Sequence, residues 1–169
     1  MEQGNSNFKI YEGNNDFYGM AEATLPEVGT PGDDISGSGL SGTFKGIYPG
    51  HVEAMSMALN FRTINKHLIT LVEPRNHTIT LMSAQKERDN NTGTFKTTAI
   101  KHVVVGTPTK FAAGKLAPAA STESSVEFSI TYFATYIGGK KMIEIDIFNN
   151  IYIINGVDYL ADERKALGM

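Results

Sequence analysis

Residues 55–62 read "MSMALNFR". Met55, Met57, Leu59 and Phe61 fall on one side; Ser56, Ala58, Asn60 and Arg62 fall on the other. Period two is the signature of a strand with one buried face, because successive side chains of an extended chain point to opposite sides of a sheet. The pattern returns twice. In "VEFSITY", Val126, Phe128, Ile130 and Tyr132 oppose Glu127, Ser129 and Thr131. In "IEIDI", Ile143, Ile145 and Ile147 oppose Glu144 and Asp146. "IGGK" at 137–140 predicts the turn joining these last two strands, since paired glycines supply the positive φ that a tight hairpin needs. Further strands are expected near 18–28, 43–47, 78–85, 94–106 and 151–155, with "DNNTG" at 89–93 as a turn.

Helix is scarce. "TINKHLITLVEP" places Ile64, Leu68 and Leu71 on one side and allows a turn or two before Pro74. "DYLADERKALG" predicts a short C-terminal helix with Asp158 as cap, acids early, bases late and Gly168 at its end. Leu160 and Leu167 are expected to dock one side of it. Two segments read as irregular, 27–42 and 111–122, and no internal repeat is present.

Composition narrows the class. The 169 residues make one domain's worth of chain, and 41% hydrophobic against 20% charged is a globular balance. A net charge of −3 argues against a generally basic nucleic-acid binder. With no Cys there is neither a disulfide nor a thiolate metal site. The N-terminus "MEQGNSNFKI" lacks an apolar signal region, so synthesis and folding in the cytoplasm are expected. The longest apolar runs, "VVV" and "IYII", are far too short for a membrane helix.

Candidate chemistry is thin. "GSGLSG", Gly37 to Gly42, matches the spacing G-x-G-x-x-G. A dinucleotide loop needs a buried strand before it and a helix after it. Here acidic "TPGDDIS" precedes and β-rich "TFKGIYPG" follows, so no helix terminus faces a phosphate. Glu144 and Asp146 share a strand face and are a conceivable acid–base pair, but a solvated sheet face explains them as well. His51 and Glu53 form H-x-E without a second His-bearing motif. "YFATY", residues 132–136, is apolar on both faces, which implies cover on both sides, from the helix or from another subunit.

"GMAEATLPEV", "DDISGSGLSG", "PGHVEAMSMALNFRTI" and "KMIEIDIFNNIYIINGVDYLADERKALG" together resemble the major tail tube protein of contractile-tailed bacteriophages and related phage-tail-like bacteriocins. The likeness runs from about residue 8 to 168. Phe61 stands where the family pattern leads one to expect Trp, and Phe148 where a more polar residue is usual. The resemblance implies a mainly β protein: a single domain over 1–169, an antiparallel β-sandwich or partial barrel with a short C-terminal helix. It implies six-copy rings that stack into a hollow tube whose lumen is a continuous β-barrel. Implied partners are other copies of the chain, the tail sheath, and baseplate and tail-terminator proteins. DNA passes the bore without specific binding in a phage, and ions do so in a bacteriocin. No catalytic residue, cofactor or metal is implied. Assembly is expected in the bacterial cytoplasm and action in a virion tail or extracellular particle.

Within that frame the glycine-rich segment about 27–42 is expected to be a flexible arm. Its ring-stacking residues would be Asp33, Asp34, Ile35, Ser36, Gly37, Ser38, Gly39, Leu40, Ser41 and Gly42. A bore that passes DNA should avoid cations, because each Lys or Arg that neutralises a phosphate adds affinity. The faces Ser56, Ala58, Asn60 and Glu127, Ser129, Thr131 are candidate lumen linings. Tyr132, Phe133 and Tyr136 are candidate subunit contacts. Two other readings remain open on the residues alone: a carbohydrate-binding β-sandwich module, and a β-fold hydrolase using Glu144 and Asp146.

Overall fold

The computed structural model describes residues 1–13, 15, 16 and 20–169. The alternating segment forms β6 (Met55–Phe61), whose four apolar residues are each at most 2% exposed. Before it stand β1 (Glu2–Glu12), β2 (Asn15–Asp16), β3 (Met20–Thr24), β4 (Gly32–Ile35) and β5 (Phe44–Ile47). After it come helix α1 (Lys66–Val72), β7 (His77–Arg88), β8 (Phe95–Ala112), β9 (Ser124–Ile137), β10 (Lys140–Asp146), β11 (Ile151–Ile154), β12 (Val157–Asp158) and helix α2 (Ala161–Ala166).

All pairings are antiparallel. The main sheet runs β12-β11-β10-β9-β8-β7-β1-β2. The long strand β9 changes partner along its length. Residues 124–130 pair with β6, which carries β3, whereas 132–137 pair with β10. At the changeover Val105 faces Tyr132 and Gly106 faces Ile130, so Thr131 is the extra residue of a β-bulge. The bulge and the normal sheet twist curl β3-β6-β9-β8-β7-β1 into a partial barrel left open between β1 and β3. Its core holds Met57, Leu59, Phe61, Val104, Val126, Phe128 and Ile145, with Leu68 and Leu71 of α1 closing one end. Asn65 caps α1, its side chain accepting from the Leu68 N–H at 2.9 Å.

His77 is fully buried where β1, β7 and the end of α1 meet. Its Nδ1 lies 2.7 Å from Glu12 Oε1 and its Nε2 2.9 Å from the Glu73 carbonyl, while Arg75 reaches the same Glu12 oxygen at 2.8 Å. Burial of the His77 ring nitrogens and of Glu12 Oε1 is tolerable because they are paired, whereas Glu12 Oε2 is buried among the described residues without a hydrogen-bond partner.

Several expectations are corrected. Segment 27–42 is not wholly irregular, because Gly32–Ile35 pairs with Phe44–Ile47 as a two-stranded sheet apart from the main one. Asp33, Asp34 and Ile35 are therefore strand, and only residues 36–43 form the tip. Strand β1 has no periodic signal, as its first half is exposed on both faces. For the same reason β7 and β8 outrun their apolar cores, and β8 takes in Phe111 and Ala112 from the second irregular segment. The expected strand from 18 to 28 is found at Met20–Thr24, with Tyr18 outside the described residues. Asp158 does not cap α2; Leu160 holds that position, and Asp158 accepts from the Leu160 N–H and pairs with Arg164. Leu167 and Ile64 are 61% and 46% exposed, so neither docks as expected. The Gly138–Gly139 turn stands as read, both residues at positive φ. A second such turn, Asn155–Gly156, joins β11 to β12.

Candidate assembly surfaces

The two predicted polar strips are one surface. In the β6–β9 register Ser56 faces Ser129, Ala58 faces Glu127 and Asn60 faces Ser125. Directly paired residues share a face, so the strips merge on the side away from the core. Strand β8 extends this face with Thr107 opposite Ser129, Lys110 opposite Glu127 and Ala112 opposite Ser125. On the far flank β3 adds Glu22 opposite Asn60 and Thr24 opposite Ala58. The result is a four-stranded face, β3-β6-β9-β8, of small polar residues with the carboxylates Glu22 and Glu127, the amine of Lys110, and Arg62 just beyond β6 in a hollow with Glu22. Thr131 does not continue it. The bulge turns its hydroxyl toward the Val105 carbonyl, 3.4 Å away. Sequence alone had no means of joining Ser56 to Ser129, some seventy positions apart.

The glycine-rich segment becomes a projecting hairpin arm. Its base is tied down by Tyr48 N–H to the Pro31 carbonyl at 3.2 Å and Glu53 N–H to the Gly29 carbonyl at 2.8 Å. Tyr48 also donates its hydroxyl to Asp33 at 3.1 Å, and that carboxylate pushes the phenol pKa up. At the tip the Leu40 N–H bonds the Gly37 carbonyl, and Gly39 sits at φ +91, a conformation open to glycine at little cost. Ile35, Leu40, Phe44 and Ile47 are 44–57% exposed. A lone two-stranded ribbon is marginal in water, so this arm gains from a second surface.

The aromatic run divides. Phe133 is only 6% exposed and stacks on His102 with ring centroids 6.0 Å apart, so it serves the chain's own core and offers no contact surface. Burial holds the His102 pKa below its ordinary value. Tyr132 and Tyr136 remain half-buried on the opposite face. Lys101 and Lys141 lie 5.3 and 5.5 Å from the Tyr136 ring centroid, one on each neighbouring strand. α1 packs on β8 and β9, and α2 buries no residue, so the C-terminal helix does not cover the run.

The remaining chemical candidates have structural partners. Glu144 binds Lys141 at 2.7 Å, raising the amine pKa, and accepts from Tyr132 at 3.4 Å. Burial first, then the Glu144 charge, raises the Tyr132 pKa. Asp146 accepts from the N–H groups of Phe148 and Asn149, fixing the turn after β10. His51 pairs with Glu163 at 3.0 Å rather than with Glu53. Among the described residues no three His, Asp or Glu side chains are grouped to hold a metal.

A family described as "Phage tail tube protein FII" matches residues 5–168. The chain belongs to this family. The tail tube protein of Escherichia phage P2 is 34% identical over 76 residues. That alignment spans 45% of this chain and 44% of the relative. Two solved structures share the fold. The sheath/tube terminator of an extracellular contractile injection system, PVC, in its extended state superposes with TM-score 0.56 at 11% identity, covering 78% of this chain and 94% of the other. The sheath-tube complex of PVC in the extended state gives 0.52 at 9%, covering 76% and 87%.

Proposed function

We propose that this chain is the repeating subunit of the inner tube of a contractile tail or phage-tail-like particle. The observation that carries the reading is the polar β3-β6-β9-β8 face, flanked by two strand edges that no described residue pairs. Free edges of this kind invite another strand. Copies joined edge to edge by a rotation that closes make a ring, and rings stack into a tube. The polar face then lines the bore. Its mix of Ser, Thr and Asn with Glu22, Glu127 and Lys110 holds no basic cluster that would grip a polyanion. The β4–β5 arm reaches the next ring, where its exposed apolar residues become covered. Tyr132 and Tyr136 contact a neighbouring copy or an outer partner. Sheath, tail-terminator and baseplate proteins are the other partners in this scheme, and the role is structural, without catalysis. Assembly takes place in the bacterial cytoplasm.

The test is concentration-dependent assembly followed by negative-stain microscopy. Rings of six or hollow tubes are expected. A chain that stays monomeric at high concentration, under conditions favouring polymerisation, overturns the proposal.

A further inference from the structure

The two free edges of the polar sheet are complementary. Strand directions alternate across β3, β6, β9 and β8 because each neighbouring pair is antiparallel. Four is an even number, so β3 and β8 run oppositely. A copy generated by rotation keeps its strand directions, and its β8 therefore meets this chain's β3 as an antiparallel neighbour. The same sheet continues through the seam.

The edges also match in side chains. On the polar face, β3 presents the exposed Glu22 and β8 the exposed Lys110. On the core side, Leu25 just beyond β3 and Phe111 on β8 are 38% and 37% exposed. Each apolar group lacks its outer neighbour where the sheet stops. In-chain rows run Glu22–Asn60–Ser125–Ala112 and Thr24–Ala58–Glu127–Lys110. A flat continuation would set Glu22 against Ala112. Closing a sheet into a barrel requires a stagger instead. A stagger of two residues per copy, which preserves which side chains face the bore, sets Glu22 directly opposite Lys110. Without it the two remain diagonal neighbours within reach of long side chains. Arg62 shares a hollow with Glu22, and Glu127 of β9 directly faces Lys110 of β8, yet neither forms an ion pair there.

We propose that Glu22 of one copy and Lys110 of the next form a charge clasp that sets the direction and register of the ring seam. The inference rests on the tube reading above and assigns the edges and residues that make it. Pro108 brings no N–H to its edge, and a bulge lies between Pro108 and Lys110, so the seam uses the run from Thr109 to Ala112.

The experiment uses the full chain with Glu22→Lys, Lys110→Glu, the double variant, and a 1:1 mixture of the two singles. Each single variant puts like charges across every seam and is expected to raise the concentration needed for assembly about tenfold at low salt. The double variant is expected to recover. The mixture is also expected to recover, because copies that alternate around an even-numbered ring pair every Glu with a Lys. Melting of unassembled Glu22→Gln and Lys110→Gln should match the wild type, since both residues are exposed, and their assembly shifts are smaller and of the same sign; Lys110→Glu also sets a carboxylate opposite Glu127 in its own sheet, so the Gln variants decide wherever a reversed charge lowers the melting point. Single variants that assemble like the wild type overturn the clasp and leave the tube standing. Failure of both double variant and mixture to recover also overturns it. A wild-type chain that never assembles overturns the tube reading itself.

Discussion

Gly106 sits at the bulge where β8 and β9 change neighbours, and replacing it by Ala tests whether that kink is packed tight. A Cβ built there lies 2.7 Å from the Ser129 carbonyl oxygen and 2.7 Å from Ile130 Cδ1, where ordinary contact begins at 3.4 Å. The Ile130 methyl can rotate away. The carbonyl belongs to the paired backbone and must move with its strand. Overpacking of this kind costs about 1–3 kcal/mol. Restricting the unfolded chain by Gly→Ala returns about 0.4–1 kcal/mol. The two ranges leave a net loss of about 1.3 kcal/mol at their midpoints, and at about 2–4 °C per kcal/mol for this size the midpoint should fall by about 3–5 °C. Thermal unfolding followed by circular dichroism at concentrations below assembly reads this directly. Gly37→Ala is the control, because nothing lies within 4 Å of its added Cβ and its φ is ordinary. It should melt with the wild type or slightly above. A Gly106→Ala chain that melts at or above the wild type would refute the close-approach argument.

The other expectations concern pH and the bore. The Arg164 guanidinium, bonding Asp158 through both its Nη atoms, holds that carboxyl below its ordinary value, helped by the Leu160 N–H. A carboxyl with a lower pKa folded than unfolded contributes stability above its unfolded value of about 3.9 and loses it as pH falls through the folded value. Asp158→Asn should therefore lower the melting point at neutral pH and flatten the acid limb below about pH 4, as a pH series of melts would show; parallel limbs would contradict it. Ser129→Lys should leave assembly intact yet make tubes retain short double-stranded DNA, with retention falling as salt rises from about 50 to 200 mM. Equal retention by wild type and variant would argue that this face does not line the bore.

The β class, the strands at residues 55–61 and 124–137, the Gly138–Gly139 turn and the shortage of helix were all legible in the sequence. Each is a local matter: alternation over a few residues, or two glycines where φ must be positive. The arm was legible only as a glycine-rich stretch. That Asp33 and Asp34 are strand depends on pairing with Gly46 and Lys45, since acids and glycine carry no strand preference of their own. Strand β1 was invisible because its polar first half is held by main-chain bonds to β7, which no side-chain pattern reports. Phe133 looked like a contact residue because both faces of its strand are apolar, and only the curl of the sheet decided that its ring turns inward onto His102. The candidate bore followed the same division. Sequence determined that Ser56, Ala58, Asn60, Glu127 and Ser129 lie on polar strand faces. Tertiary structure alone decided that these faces are one, that Thr131 drops out at a bulge, and that Glu22 and Lys110 stand at its opposite edges. The physical reason is that side-chain period is set within a strand, whereas register is set between strands by hydrogen bonds linking residues far apart in the chain.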